Sequence, residues 1–300
     1  MTQAARVARA LEKEGPVSVK KLLVAGAGQM GAGIAQVSAV AGLDVVMIDV
    51  ADEFIERGMA GIETGLGRLV GKGRMEAAAR DAALARITTS TDIAAGADAD
   101  LFLEAAPEVV AIKEELFARA SATMRDDAII ATNTSSLSVT KLAAFVTNPA
   151  RFVGIHFFNP VPVMALVEVV KGIETGDKTL ATARAYAEAV GKTPITVTDS
   201  PGFVVNRILF PMINEAARAF AEGVASAADI DTGMKLGTNW PMGPLALADL
   251  VGLDTTKAVL ETFERELSDA KYRPAEILDE LVAAGKLGRK GGAGFYDYGS

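Results

Sequence analysis

The chain has 300 residues, 50% of them hydrophobic, and carries 30 Lys plus Arg against 38 Asp plus Glu, a net charge of −8. That composition can bury a sizeable core and excludes intrinsic disorder, while the acidic balance argues against general binding to nucleic acid backbones or anionic membrane surfaces. With no cysteine and a single histidine, disulfides, thiolate nucleophiles, zinc–thiolate sites and clustered transition-metal ligation are out of reach, so no metal site is expected.

At the amino-terminal end, Arg6, Arg9, Glu12 and Lys13 stand among alanines without an apolar h-region. This reads as a short amphipathic extension over residues 1–18 rather than a secretory signal, and Glu12 and Glu14 weigh against an organelle transit peptide. No apolar run approaches the roughly 20 residues of a spanning helix. A cytoplasmic protein with neither membrane nor nucleic acid partners is expected.

Residues 21–25 form a short apolar run that ends in glycines, and 30–41 follow with helical composition: strand, tight turn, helix. Residues 45–49 read as a second buried strand. Strand-like runs recur at 101–104, 128–132 and 152–157, with helical segments such as 51–70 and 111–123 between them. Alternation of this kind implies a parallel sheet covered by helices on both faces. Another β-branched run at 166–170, a helix at 178–190 and a last strand at 195–198 follow. Beyond Pro201 only helices are predicted, at 204–223, 227–236, 245–267 and 274–284, broken by Gly and Pro. The expected class is α/β: a Rossmann-type doubly wound sheet domain over 19–200, then an all-helical domain over 201–300, divided near Ser200-Pro201-Gly202.

The turn after the first strand reads Gly26-Ala27-Gly28-Gln29-Met30-Gly31. Three glycines at this spacing are weak evidence alone; the strand before them, the helix after them and an acid closing the second strand, Asp49, supply the weight. Gly26 would permit the tight turn, Gly28 the approach of a pyrophosphate, and Gly31 close packing of helix on strand. The helix start at Gln29 and Met30 would offer N–H groups to the phosphates. Asp49 would accept hydrogen bonds from a ribose 2′-hydroxyl and repel a 2′-phosphate, so NAD is favoured over NADP.

The only histidine, His156, lies in Gly154-Ile155-His156-Phe157-Phe158-Asn159-Pro160, twelve residues before Glu168. If 152–157 and 166–170 pair as antiparallel strands about a centre near Pro162, His156 and Glu168 face each other, close enough for a carboxylate to bond an imidazole nitrogen. The glutamate would fix the tautomer and stabilise the imidazolium while the other nitrogen faces a substrate. An imidazole poised for proton transfer in a chain that holds a dinucleotide makes a candidate dehydrogenase.

Together with Asn133-Thr134-Ser135-Ser136-Leu137-Ser138, Val167-Glu168-Val169-Val170, Asp199-Ser200-Pro201-Gly202-Phe203-Val204-Val205-Asn206-Arg207 and Pro241-Met242-Gly243-Pro244, these segments resemble the L-3-hydroxyacyl-CoA dehydrogenase family. The likeness is strongest to its short bacterial 3-hydroxybutyryl-CoA branch, and it runs from about Val19 to Tyr298. It implies reversible oxidation of a (3S)-hydroxyacyl-CoA to a 3-oxoacyl-CoA with NAD. By that resemblance His156 moves the 3-hydroxyl proton, Glu168 holds the ring, and Ser135 and Asn206 bind the reacting end of the substrate. It further implies that Asn159 aligns substrate or nicotinamide, that Glu108 and Lys113 lie near the cofactor's ribose and nicotinamide, and that Lys72 meets a CoA phosphate. A homodimer through the helical domain is also implied.

Residue chemistry alone leaves other readings open. Ser135 could instead cap the helix starting near Val139, a role Ser136 or Ser138 could equally take. Glu108 and Lys113 could be an ordinary helix-start acid and surface base. Gly292-Ala293-Gly294, where the family commonly has a basic residue, and Thr238-Asn239-Trp240 leave the acyl length open. A non-catalytic NAD-binding protein and a dehydrogenase of a free hydroxy acid are the alternative functions.

Overall fold

The computed structural model describes residues 18–299; the extension expected at 1–18 falls, but for its last residue, outside the described residues. The chain divides at the Ser200–Pro201 junction into two compact units.

The first unit is built on one eight-stranded sheet in the order β3-β2-β1-β4-β5-β6-β7-β8. Its strands are β1 (Lys21–Ala25), β2 (Asp44–Ile48), β3 (Ile87–Ser90), β4 (Leu101–Glu104), β5 (Ile129–Thr132), β6 (Phe152–Phe157), β7 (Leu166–Lys171) and β8 (Thr193–Thr198). Between them run α1 (Gln29–Val40), α2 (Asp52–Gly71), α3 (Ala77–Ala85), α4 (Val110–Thr123), α5 (Val139–Leu142) and α6 (Asp177–Ala189). The chain winds outward from β1 through β2 to β3 and returns on the other side of β1 at β4, the doubly wound order expected. Every pairing is parallel except β6 with β7. Such a sheet is buried on both faces, which is why Leu22–Ala25 and Leu101–Glu104 are buried without alternation.

The strand order reverses between β1 and β4, and in such sheets ligands take the carboxyl ends of the strands at that switch point. Gly26 turns there with φ of 111°, and a Cβ on it would lie 2.5 Å from the Ala105 carbonyl oxygen. Side chains are excluded on both counts. Gly31 meets the Gly26 carbonyl even more closely, so helix α1 starts with its backbone pressed onto the turn. Helix α3 and strand β3 stand where no element is expected from the sequence. In β3, Ile87-Thr88-Thr89-Ser90, only Ile87 is buried, so no apolar run announces the strand.

The second unit is helical: α7 (Val205–Ala221), α8 (Ala227–Gly237), α9 (Pro244–Val251), α10 (Leu253–Leu267) and α11 (Glu276–Ala283). Its core gathers Phe210, Ile213, Leu245, Leu253, Leu260, Phe263, Tyr272 and Leu278. The single helix expected over 245–267 is two, because Gly252 stands at φ of 104°, a conformation that ends α9. Two buried carboxylates organise this unit. Asp231 accepts from the Leu245 and Ala246 amides at the start of α9, at 2.8 and 2.9 Å, and from the Tyr296 hydroxyl at 2.7 Å. It thereby supplies acceptors that the first turn of a helix lacks. Asp249 accepts from the amides of Phe295 and Tyr296 and from the Tyr298 hydroxyl, each at 3.0 Å, and so clasps the tail.

Candidate active site

Helix α1 begins at Gly28 with extended backbone and no side-chain cap, and a Cβ at Gly28 would meet nothing within 4 Å. Gln29 is exposed beside it and Met30 half-buried. An uncapped helix start behind an open glycine leaves backbone N–H groups that can receive an anion. Asp49, just past β2, aims its carboxylate back at this loop: Oδ2 accepts from the Ala27 amide at 2.6 Å and Oδ1 from the Val50 amide at 2.7 Å. The acid expected to read a ribose therefore also holds the glycine loop, a tie that spacing alone does not reveal.

His156 and Glu168 are register partners across the β6–β7 hairpin, as the centre near Pro162 requires. His156 is 6% exposed and Glu168 0%. Imidazole Nδ1 and Glu168 Oε2 are 2.8 Å apart. A carboxylate at Nδ1 favours the tautomer that carries its proton on Nδ1. The Phe158 ring leans on the imidazole at 4.5 Å between centroids. Asn159 follows, exposed, at the start of the turn.

At the ends of β4 and β5 a polar chain runs through the interior. Glu104, 0% exposed, accepts from Lys113 Nζ and from the Ala106 amide at Oε1, and from the Thr132 hydroxyl at Oε2, all at 2.6 Å. Lys113 is no surface base; it is 1% exposed, and its ammonium also stands 3.2 Å from Glu108 Oε2. Glu108 in turn accepts from the Ser135 amide at 2.7 Å, from the Ser135 hydroxyl at 3.2 Å and from the Thr134 hydroxyl at 2.9 Å. The cap of α5 is Ser138, whose hydroxyl accepts from the Lys141 amide, so Ser135 is not engaged as a cap. Asn133 Oδ1 accepts from the Phe157 amide at 2.8 Å and ties the end of β5 to the end of the His156 strand. Sequence reasoning missed Glu104, Thr132 and Asn133. The one available signal was an acid closing the apolar strand Leu101-Phe102-Leu103-Glu104, since a charge buried there needs a partner.

Two family models cover nearly all of the described chain: the NAD binding domain of 3-hydroxyacyl-CoA dehydrogenase at residues 21–200 and its C-terminal domain at 202–298. The chain belongs to the 3-hydroxyacyl-CoA dehydrogenase family. Among its relatives, a probable 3-hydroxybutyryl-CoA dehydrogenase of Deinococcus radiodurans is 50% identical over 278 residues, 93% of this chain and 100% of the relative. A 3-hydroxybutyryl-CoA dehydrogenase of Bradyrhizobium diazoefficiens is 47% identical over 93% of this chain and 96% of its own. The crystal structure of (S)-3-hydroxybutyryl-CoA dehydrogenase from Ralstonia eutropha matches with a TM-score of 0.92 at 50% identity, covering 94% of this chain and 100% of that one. NAD is thus the cofactor of an oxidoreductase acting on 3-hydroxyacyl-CoA. The open position at Gly28 and the acid at Asp49 fit that cofactor.

The remaining expected residues lie on other elements. Lys72 follows the carboxyl end of α2 and is exposed to solvent. Asn206 lies in the first turn of α7, in the second unit. No described helix is long and apolar enough to cross a membrane.

Proposed function

We propose that this chain catalyses the reversible NAD-dependent oxidation of short-chain (3S)-3-hydroxyacyl-CoA, with 3-hydroxybutyryl-CoA as its substrate. The observation that carries this is the buried His156–Glu168 pair, 2.8 Å apart, on the same sheet as the glycine cradle. NAD, when bound, supplies the acceptor for the hydride of C3. His156 takes the 3-hydroxyl proton at Nε2 in oxidation and returns it in reduction, and Glu168 fixes the ring's tautomer and supports its positive charge. Ser135 and Asn206 donate to the oxygen on C3, where charge develops. Asn159 aligns the reacting groups. Gly26, Gly28, Gln29, Met30 and Gly31 would hold the pyrophosphate, Asp49 the adenosine ribose, and Glu108, steadied by the buried Lys113, the nicotinamide ribose. Lys72 offers its exposed ammonium to a CoA phosphate.

In this reading residues 19–200 are the cofactor unit and 201–300 the substrate and dimerisation unit of a cytoplasmic homodimer. Ile208 at 64% exposure and Leu236 at 81% are apolar surface of the helical unit that a second copy would cover. The test is NADH consumption with acetoacetyl-CoA against acetoacetate, in the parent and in His156→Gln. Turnover of the thioester that collapses in the variant by about 10² to 10⁴, with NADH binding unchanged, is the expected result. A variant that keeps most of its turnover refutes the role of His156.

A further inference from the structure

Lys192 lies between α6 and β8 and is 9% exposed. Its ammonium donates to the Val161 carbonyl at 2.5 Å and to the Met164 carbonyl at 2.9 Å. The next amide, of Thr193, donates to the Ala165 carbonyl at 2.7 Å. Two adjacent residues thus grip three carbonyls of the turn that joins β6 to β7. A cation removed from water is ordinarily matched by a carboxylate. Here it is bound instead to main-chain oxygens, and burial pulls its pKa below the ordinary lysine value.

The same turn is gripped from its other side. Val161 is 2% exposed and packs so tightly on α1 that a Cβ at Gly33 would fall 2.8 Å from the Val161 Cβ. Helices α1 and α6 are joined by a buried bond of 2.8 Å between the Ser38 and Tyr186 hydroxyls. The Tyr186 ring meets Phe157, beside His156, edge-on. The turn, the cofactor helix and α6 therefore form a closed frame, and the Lys192 ammonium is the charge that reaches into it.

We infer that Lys192 is a positioning residue for proton transfer: its ammonium fixes the segment 158–161, which carries Phe158 and Asn159, relative to His156 and to helix α1. This rests on the role of His156 proposed above. Misplacement by about 1 Å far from the chemistry can cost a hundredfold in rate, and release of this turn moves the ring that leans on the imidazole.

The test is Lys192→Met, which keeps an unbranched side chain one atom shorter and removes the charge. NADH affinity by fluorescence titration is expected to stay within about threefold, and KM for acetoacetyl-CoA likewise, while kcat falls about 10- to 100-fold. The chain's single histidine gives one set of imidazole NMR signals, and these should shift in the folded, ligand-free variant. That arm does not depend on turnover, and parent activity with His156→Gln tests the underlying reading separately. A kcat within threefold of the parent, or unmoved imidazole signals in the folded variant, overturns the inference. Should Lys192→Met fail to fold, Lys192→Gln, neutral but still a donor, is read by the same criteria.

Discussion

Replacing Glu168 by Gln tests the heart of the proposed chemistry with little change in shape. Glu168 is 0% exposed, and its Oε2 lies 2.8 Å from His156 Nδ1. Two unit charges about 4 Å apart at an effective dielectric constant of about 20 attract by about 4 kcal/mol. This attraction exists in full only once the ring has taken the substrate proton, so its loss falls on kcat rather than on binding. The glutamine amide still offers a neutral hydrogen bond, which returns about 1 kcal/mol. The remaining ~3 kcal/mol corresponds to roughly a hundredfold in rate. The assay is steady-state oxidation of 3-hydroxybutyryl-CoA alongside direct titration with NADH. A Glu168→Gln protein with kcat within threefold of the parent, or with an effect confined to KM, would refute the reasoning.

Three further outcomes follow from particular contacts. Gly28→Ala should leave the melting temperature unchanged, since its Cβ meets only open space, yet weaken NADH binding by more than about tenfold; Gly31→Ala, whose Cβ would collide with the Gly26 carbonyl, should instead lower stability. Parental NADH affinity in Gly28→Ala would remove the pyrophosphate from that place. Glu104→Gln strips Lys113 of its buried carboxylate and should cost about 3 kcal/mol, read as a drop in urea midpoint; a shift below about 0.5 kcal/mol would contradict the pair's structural weight. Burial, then the bond to Asp231, raises the pKa of the Tyr296 phenol. A raised pKa means the folded protein holds that proton more tightly. The associated stability is complete below about pH 10, the unfolded value, and is lost as pH rises above it. Tyr296→Phe should therefore melt with a shallower alkaline slope than the parent, Tyr186 and Tyr298 supplying the rest because burial raises theirs too. An identical slope would exclude Tyr296 as a contributor.

The sequence made the frame of the site legible to a considerable depth. β1, β4 and β6 fall where their apolar runs stand, and the mirror spacing about Pro162 sets His156 opposite Glu168. These features are local or nearly so, carried by periodicity and a hairpin centre. What stayed hidden depends on topology. Lys113 sits nine positions from Glu104, and residue type alone leaves a surface base open for it until the crossover from β4 into α4 folds it inward. Glu108 meets Ser135 only because β4 and β5 are neighbours in the sheet. The Lys192 grip joins segments 31 residues apart whose partners are main-chain carbonyls, which no residue type announces.

The two bonds of Asp49 to Ala27 and Val50 bear on any attempt to redirect the chain toward the phosphorylated dinucleotide. On the proposed placement of the pyrophosphate, substituting that acid would loosen the turn beneath it at the same moment as it admits a new phosphate, so affinity for both nucleotides would fall. The neighbouring Val50, 85% exposed and holding Asp49 only through its amide, is the better starting point: an arginine there adds attraction while the turn keeps its anchor.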